Sequence, residues 1–62
     1  MYKIGDKIRI IKMNGEDNYN GREGIIEYID SINQLHGTWG GLAIIPEEDV
    51  IEVINTKETI SN

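Results

Sequence analysis

The sequence predicts an all-β domain. Thirteen of its 24 hydrophobic residues are isoleucine and only one residue, Ala43, is alanine; branching at Cβ suits a pleated strand and restricts χ1 in a helix. Seven glycines cut the chain into apolar runs of strand length. No run carries an apolar stripe at helical spacing.

The first run, Lys7 to Met13, alternates so that Ile8 and Ile10 face one side and Lys7 and Arg9 the other, as in a half-buried strand. Adjacent Ile10 and Ile11 cannot share a face without a bulge or bend, and a bend there helps a sheet curl. Residues 14–22 hold three asparagines and two glycines and read as a mobile loop. Gly24 to Ile29 is the second strand, with Ile26 and Tyr28 on one face and Ile25, Glu27 and Ile29 on the other. A polar turn at Asp30 to Asn33 leads into a third strand, Gln34 to Trp39. Gly40-Gly41 supplies a tight hairpin into the fourth, Leu42 to Ile45. Pro46 has no N–H to donate and ends that strand, and Glu47-Glu48-Asp49 suits one turn of 3₁₀ helix. Val50 to Ile54 is the fifth strand.

Five short antiparallel strands, a long first loop and a single 3₁₀ turn before the last strand fit a small barrel that closes its own edges. At this length an SH3-like barrel over residues 1–54 is the economical arrangement, with 55–62 a disordered C-terminal tail. An OB-type barrel would need a helix between its third and fourth strands, for which there is no room.

At 62 residues the chain is one domain, burying roughly 60% of the surface its unfolded form exposes, and a cleft between domains is not available to it. Without cysteine, and with His36 the sole imidazole, neither a disulfide framework nor a zinc site is expected, and no cofactor is implied. Gly5 and Asp6 interrupt what a secretory leader would need, and nothing approaches the ~20 apolar residues of a membrane span, which points to a cytoplasmic protein. The net charge of −5 argues against a phosphate-dominated grip on nucleic acid. It hides an asymmetry. Lys3, Lys7, Arg9 and Lys12 against Asp6 give the first twelve residues +3, and the remainder carries −8.

The segments Ile4-Gly5-Asp6-Lys7-Ile8-Arg9-Ile10, Gly21-Arg22-Glu23-Gly24-Ile25-Ile26, Gly37-Thr38-Trp39-Gly40-Gly41, Leu42 to Pro46 and Val50 to Ile54 together resemble a family of small uncharacterised proteins. Its members come from Gram-positive bacteria, their phages and mobile elements, and look like SH3-type barrels. The resemblance covers most of residues 4–54 and implies fold and genomic context, with no established activity. The glycine-acid pair before the first strand and the G-x-x-G-x-I opening of the second are also similar to KOW-type modules, which bind RNA or proteins. The tyrosine-rich first-loop segment of signalling SH3 domains is absent, with Tyr19 alone in that region, so proline-motif recognition is not carried over.

Trp39 and Tyr19 are candidates for a recognition patch, since aromatics with a polar tip bring contact area at little entropic cost. The competing reading places Trp39 and Tyr28 in a core that has no phenylalanine. Arg22, in a glycine-flanked turn, is a plausible partner contact. Lys3, Lys7 and Arg9 are candidates for phosphate contacts, against cross-strand pairing with carboxylates such as Glu27 or Glu52. Glu47, Glu48 and Asp49 complement the start of a 3₁₀ turn rather than bind a metal, and His36 has no obvious nucleophile beside it. The sequence therefore points to a non-enzymatic, monomeric interaction module that binds a protein near Trp39 and the 14–22 loop. The alternative is a KOW-like nucleic-acid-binding module using the basic first strand, and a further one is pairing of exposed barrel edges between copies.

Overall fold

The computed structural model describes residues 2–55. Five strands, β1 (Lys7–Lys12), β2 (Glu23–Ile29), β3 (Leu35–Gly37), β4 (Gly40–Ile44) and β5 (Val50–Val53), form one antiparallel sheet in the order β4-β3-β2-β1-β5. The all-β prediction and the strand count hold. The sheet is open, with β4 and β5 at its two edges.

The one 3₁₀ helix among the described residues spans Asp17–Tyr19, between β1 and β2. It is not where the sequence suggested. The segment after Pro46 is instead a hydrogen-bonded turn in which the Glu48 and Asp49 N–H groups both donate to the Ile45 carbonyl. Asp49 is buried, and its carboxylate accepts from the Ile45 N–H at 2.8 Å and the Asn14 N–H at 2.9 Å. An acid that satisfies two backbone donors organises this turn without a regular helix.

Bulges set which residues face inward. Between Ile10 and Lys12 the β1–β5 register shifts, so that Ile10 is fully buried, Ile11 is exposed, and Met13 returns to the core. This is the irregularity expected from the adjacent isoleucines. A second shift, between Ile26 and Tyr28 of β2, has a consequence the alternation pattern missed. Glu27 is the extra residue, which moves Tyr28 to the outside, where it is 57% exposed, and turns Ile29 toward the core. Tyr28 is therefore not a core residue.

The β2–β3 connection is a three-residue loop closed by Asp30 and Gln34, with Asn33 in the left-handed region at φ 65°. The Asp30 carboxylate accepts from the Ile32 and Gln34 N–H groups, the bonding typical of an Asx turn. The β3–β4 hairpin turns at Thr38-Trp39, between paired Gly37 and Gly40, and not at Gly40-Gly41 as expected. The Thr38 hydroxyl accepts from the Ile25 N–H and its own N–H donates to the Ile25 carbonyl, so the turn continues the ladder.

Ile8, Ile10, Met13, Ile26, Leu35, Trp39 and Ile44 form the core, with Tyr2, Tyr19, Ile29 and Ile51 packed against it. Each fully buried aliphatic side chain contributes about 1.5–3 kcal/mol. Beyond β5, Asn55 ties the chain back to the start of β1: its side chain accepts from the Lys7 N–H at 2.7 Å and donates to Asp6 at 3.1 Å. The fold thus includes the first residue of the expected tail. The rest of that tail, residues 56–62, lies outside the described residues.

Candidate functional site

The loop between β1 and β2 is held at several points. The Met13 N–H donates to the Asn20 side chain, the Asn14 N–H to Asp49, and Gly21 and Arg22 extend the β1 ladder by bonding Ile10 at 2.7 and 2.8 Å. These bonds tie down a segment whose composition suggested mobility. They also place Tyr19 and Arg22 against the tip of the β3–β4 hairpin.

There the guanidinium of Arg22 lies over the Tyr19 ring, 4.1 Å from its centroid, and Nη1 donates to the Trp39 carbonyl at 2.8 Å. Gly40 forms the seat for both. A Cβ at that position would stand 3.0 Å from the Tyr19 hydroxyl and 3.1 Å from Arg22 Nη1, and the backbone there has φ +145°. Tyr19 is half-buried with its ring on the core, and Arg22 is exposed.

The three residues singled out as partner contacts, Trp39, Tyr19 and Arg22, are thus brought together. Trp39 takes a different part from the expected one. Its indole is 3% exposed and its Nε1 donates to the Leu42 carbonyl at 2.8 Å. It is a core residue, not the edge of a surface patch, because the Thr38-Trp39 turn tucks the ring back over Gly24 and Gly37. What Trp39 offers the site is its carbonyl oxygen. Gly40, read from the sequence as a hairpin residue beside Gly41, was not among the predicted contacts, since its closeness to Tyr19 and Arg22 is made across the fold.

Lys3, Lys7 and Arg9 form a separate group. Arg9 sits directly opposite Glu23 on β2 and Glu52 on β5, with Nε–Glu23 at 3.0 Å and Nη1–Glu52 at 2.7 Å. These contacts, that to Glu23 first, hold its guanidinium still further above its ordinary value. Lys7 approaches Glu23 at 3.9 Å, Lys3 approaches Asp6 at 3.8 Å, and Lys12 bonds Asp17 at 2.7 Å. The cross-strand pairing weighed from the sequence is realised for Arg9 with Glu52, and with Glu23 in place of Glu27. Among the described residues, Arg22 has no carboxylate within ion-pair distance.

His36, on β3, meets Asp30 at 2.9 Å through Nε2 and packs against the Tyr28 ring at 5.6 Å. The hydrogen bond from His36 is the main cause that lowers the Asp30 carboxyl below its ordinary value. Away from the hairpin tip, Tyr2, Ile29, Leu35 and Pro46 line a shallow apolar depression of about 310 Å³, with Asn33 and Glu47 at its sides. Among the described residues no group of three or more metal-ligating side chains converges, and no helix is long and apolar enough to cross a membrane.

The model of one protein family, the domain of unknown function DUF4314, matches residues 1–54. No curated protein and no solved structure matches the chain.

Proposed function

The chain belongs to the DUF4314 family of domains of unknown function, and from that premise we propose that it is a non-enzymatic interaction module that binds a protein through the Tyr19–Arg22–Gly40 surface. One observation carries the reading. An exposed arginine is fixed in place by a ring beneath it and a carbonyl beside it, and carries no ionic partner among the described residues. A side chain ordered before binding loses little further entropy on contact, which is the property of interface hot spots rich in tyrosine and arginine. The sheet in which β1 lies between β2 and β5, with register shifts in three of its four strand pairings, supports an SH3-type scaffold for this surface. The His36 ring bonds the Asp30 carboxylate and packs on Tyr28, and among the described residues no serine or threonine hydroxyl bonds it as a nucleophile would.

The nucleic-acid alternative is weaker because Lys7 and Arg9 of β1 are turned onto Glu23 and Glu52, and phosphate would have to displace those carboxylates. The test is capture of a partner from the native host by the wild-type chain, by Tyr19→Ala with Arg22→Ala, and by Lys7→Ala with Arg9→Ala. The module reading expects a protein retained by wild type and by the β1 variant and lost with the Tyr19/Arg22 variant. Retention of nucleic acid that falls steeply with salt and is lost with the β1 variant overturns it. Sedimentation at several concentrations checks that the captured species is not a second copy.

A further inference from the structure

We infer that the group recognised at this surface is a carboxylate, carried by an acidic segment of the partner and held by the outward edge of Arg22; the inference rests on the interaction-module reading. A guanidinium has five N–H donors in one plane. In Arg22 one of them is committed to the Trp39 carbonyl, and one face of the plane is covered by the Tyr19 ring. The remaining edge belongs to an exposed residue, and its fork geometry matches the two oxygens of a carboxylate.

The distribution of charge over the molecule argues the same way. Lys3, Lys7, Arg9 and Lys12 each have an acid of this chain within 4 Å. Arg22 has none among the described residues, although the chain carries eleven carboxylates. Glu23 is adjacent in sequence, yet strand alternation turns it to the other side, onto Arg9. The internal acid that would most readily neutralise Arg22 is thereby taken away from it. Gly40 keeps the approach open, since any side chain there would press on the Tyr19 hydroxyl and Arg22 Nη1.

A phosphate-bearing ligand fits less well. Phosphate recognition gathers several donors or cations, and here one arginine stands alone, the other described lysines and arginine being paired with acids of this chain. A single carboxylate asks for one arginine, and exposed Leu42 (37%), two residues beyond Gly40 on β4, offers an apolar side chain. The surrounding negative charge acts at long range and is largely screened beyond about 8 Å at physiological salt, whereas the bidentate contact is made at hydrogen-bond distance.

The test uses the full chain at physiological ionic strength and a ¹⁵N–¹H correlation spectrum that includes the arginine Nε–H signals. The probes are a capped hexapeptide of alternating glutamate and leucine, its glutamine counterpart, and inorganic phosphate. The expected result is movement of the Arg22 Nε–H and of the Gly40 and Gly41 amides with the glutamate peptide, about tenfold weaker binding of the glutamine peptide, and a similar loss in Arg22→Gln. Arg22→Lys keeps the charge and loses the fork, so it is expected to recover only part of the affinity. Equal binding of the two peptides overturns the carboxylate inference and leaves the interaction-module reading standing, as does tighter binding of phosphate than of the glutamate peptide. Absence of any shift at Arg22 with millimolar glutamate peptide also overturns it, and the capture experiment then decides the module reading separately.

Discussion

The indole of Trp39 lies directly against the α-carbon of Gly37: a Cβ built there would stand 2.5 Å from Trp39 Cζ3 and would run into the Ile25 carbonyl oxygen. The same ring passes over Gly24, where a Cβ would stand 3.1 Å from Cε3 and 2.9 Å from the Trp39 backbone nitrogen. Two glycines on neighbouring strands therefore make the recess that holds the tryptophan, and the recess sets the conformation of the hairpin tip that carries the Arg22 contact.

Gly37→Ala is expected to destabilise the domain by about 1–3 kcal/mol, since the added methyl meets backbone and a buried ring rather than a flexible chain end. Urea unfolding followed by circular dichroism should show a lower midpoint at unchanged slope. A midpoint within error of wild type would mean that the indole does not occupy the recess.

Trp39→Ala should cost about 3–5 kcal/mol. A chain of this length has on the order of 3–9 kcal/mol of total stability, so the loss takes a large share of it, and the urea midpoint is expected to fall steeply. Trp39→Phe keeps most of the volume and loses the bond to the Leu42 carbonyl, and should remain folded. An alanine variant with a wild-type urea midpoint would return Trp39 to the surface.

The bulge at Glu27 predicts unequal costs for neighbouring positions. Ile29→Ala removes a side chain packed on the core and should cost roughly 1–2 kcal/mol, part of the loss typical of a fully buried isoleucine. Tyr28→Ala removes a side chain that is 57% exposed and should cost well under that. The reverse order in thermal unfolding would place the bulge elsewhere.

Asp6 is held below its ordinary carboxyl value, chiefly by the Asn55 side chain and next by the Lys3 N–H. A carboxyl depressed in the folded state stabilises fully above its unfolded value of about 3.9, and that stabilisation is lost as pH falls through the lower folded value. Unfolding midpoints should therefore be insensitive to Asp6 above about pH 5 and decline below about pH 4. In Asn55→Ala the Asp6 carboxyl carbon, followed by NMR, should titrate at higher pH than in wild type. An unchanged titration would remove Asn55 as the cause.

Most of the strands were legible because isoleucine spacing and glycine breaks report local geometry directly. The bulge at Ile10-Ile11 was legible for the same reason, since two adjacent apolar residues declare a phase change. The bulge at Glu27 was not, because Ile25, Ile26, Tyr28 and Ile29 offer an apolar residue to either face in either phase, and only pairing with the short β3 decides between them. The β3–β4 turn was misplaced because Gly40-Gly41 has the composition of a tight hairpin. The true turn, Thr38-Trp39, depends on the ring finding its recess over Gly24 and Gly37, a contact made across strands. At the site, Tyr19 and Arg22 could be named from residue type and loop position. That Arg22 alone among the described cations would lack an acid could not be read, because it follows from which face each strand presents.

The Asn55 clasp also determines how the domain meets mechanical load. The Ile54 N–H donates to the Lys7 carbonyl at 2.8 Å and the Lys7 N–H to the Asn55 side chain at 2.7 Å, so the first strand begins at the corner where the last one ends. Bonds between antiparallel strands run perpendicular to them. A tether drawing the two ends apart would load those bonds in series, peeling β5 from β1 like a zipper instead of shearing the pair along its length. Resistance to traction is then set at that corner, by a few bonds around Lys7 and Asn55, however well the isoleucines behind them are packed.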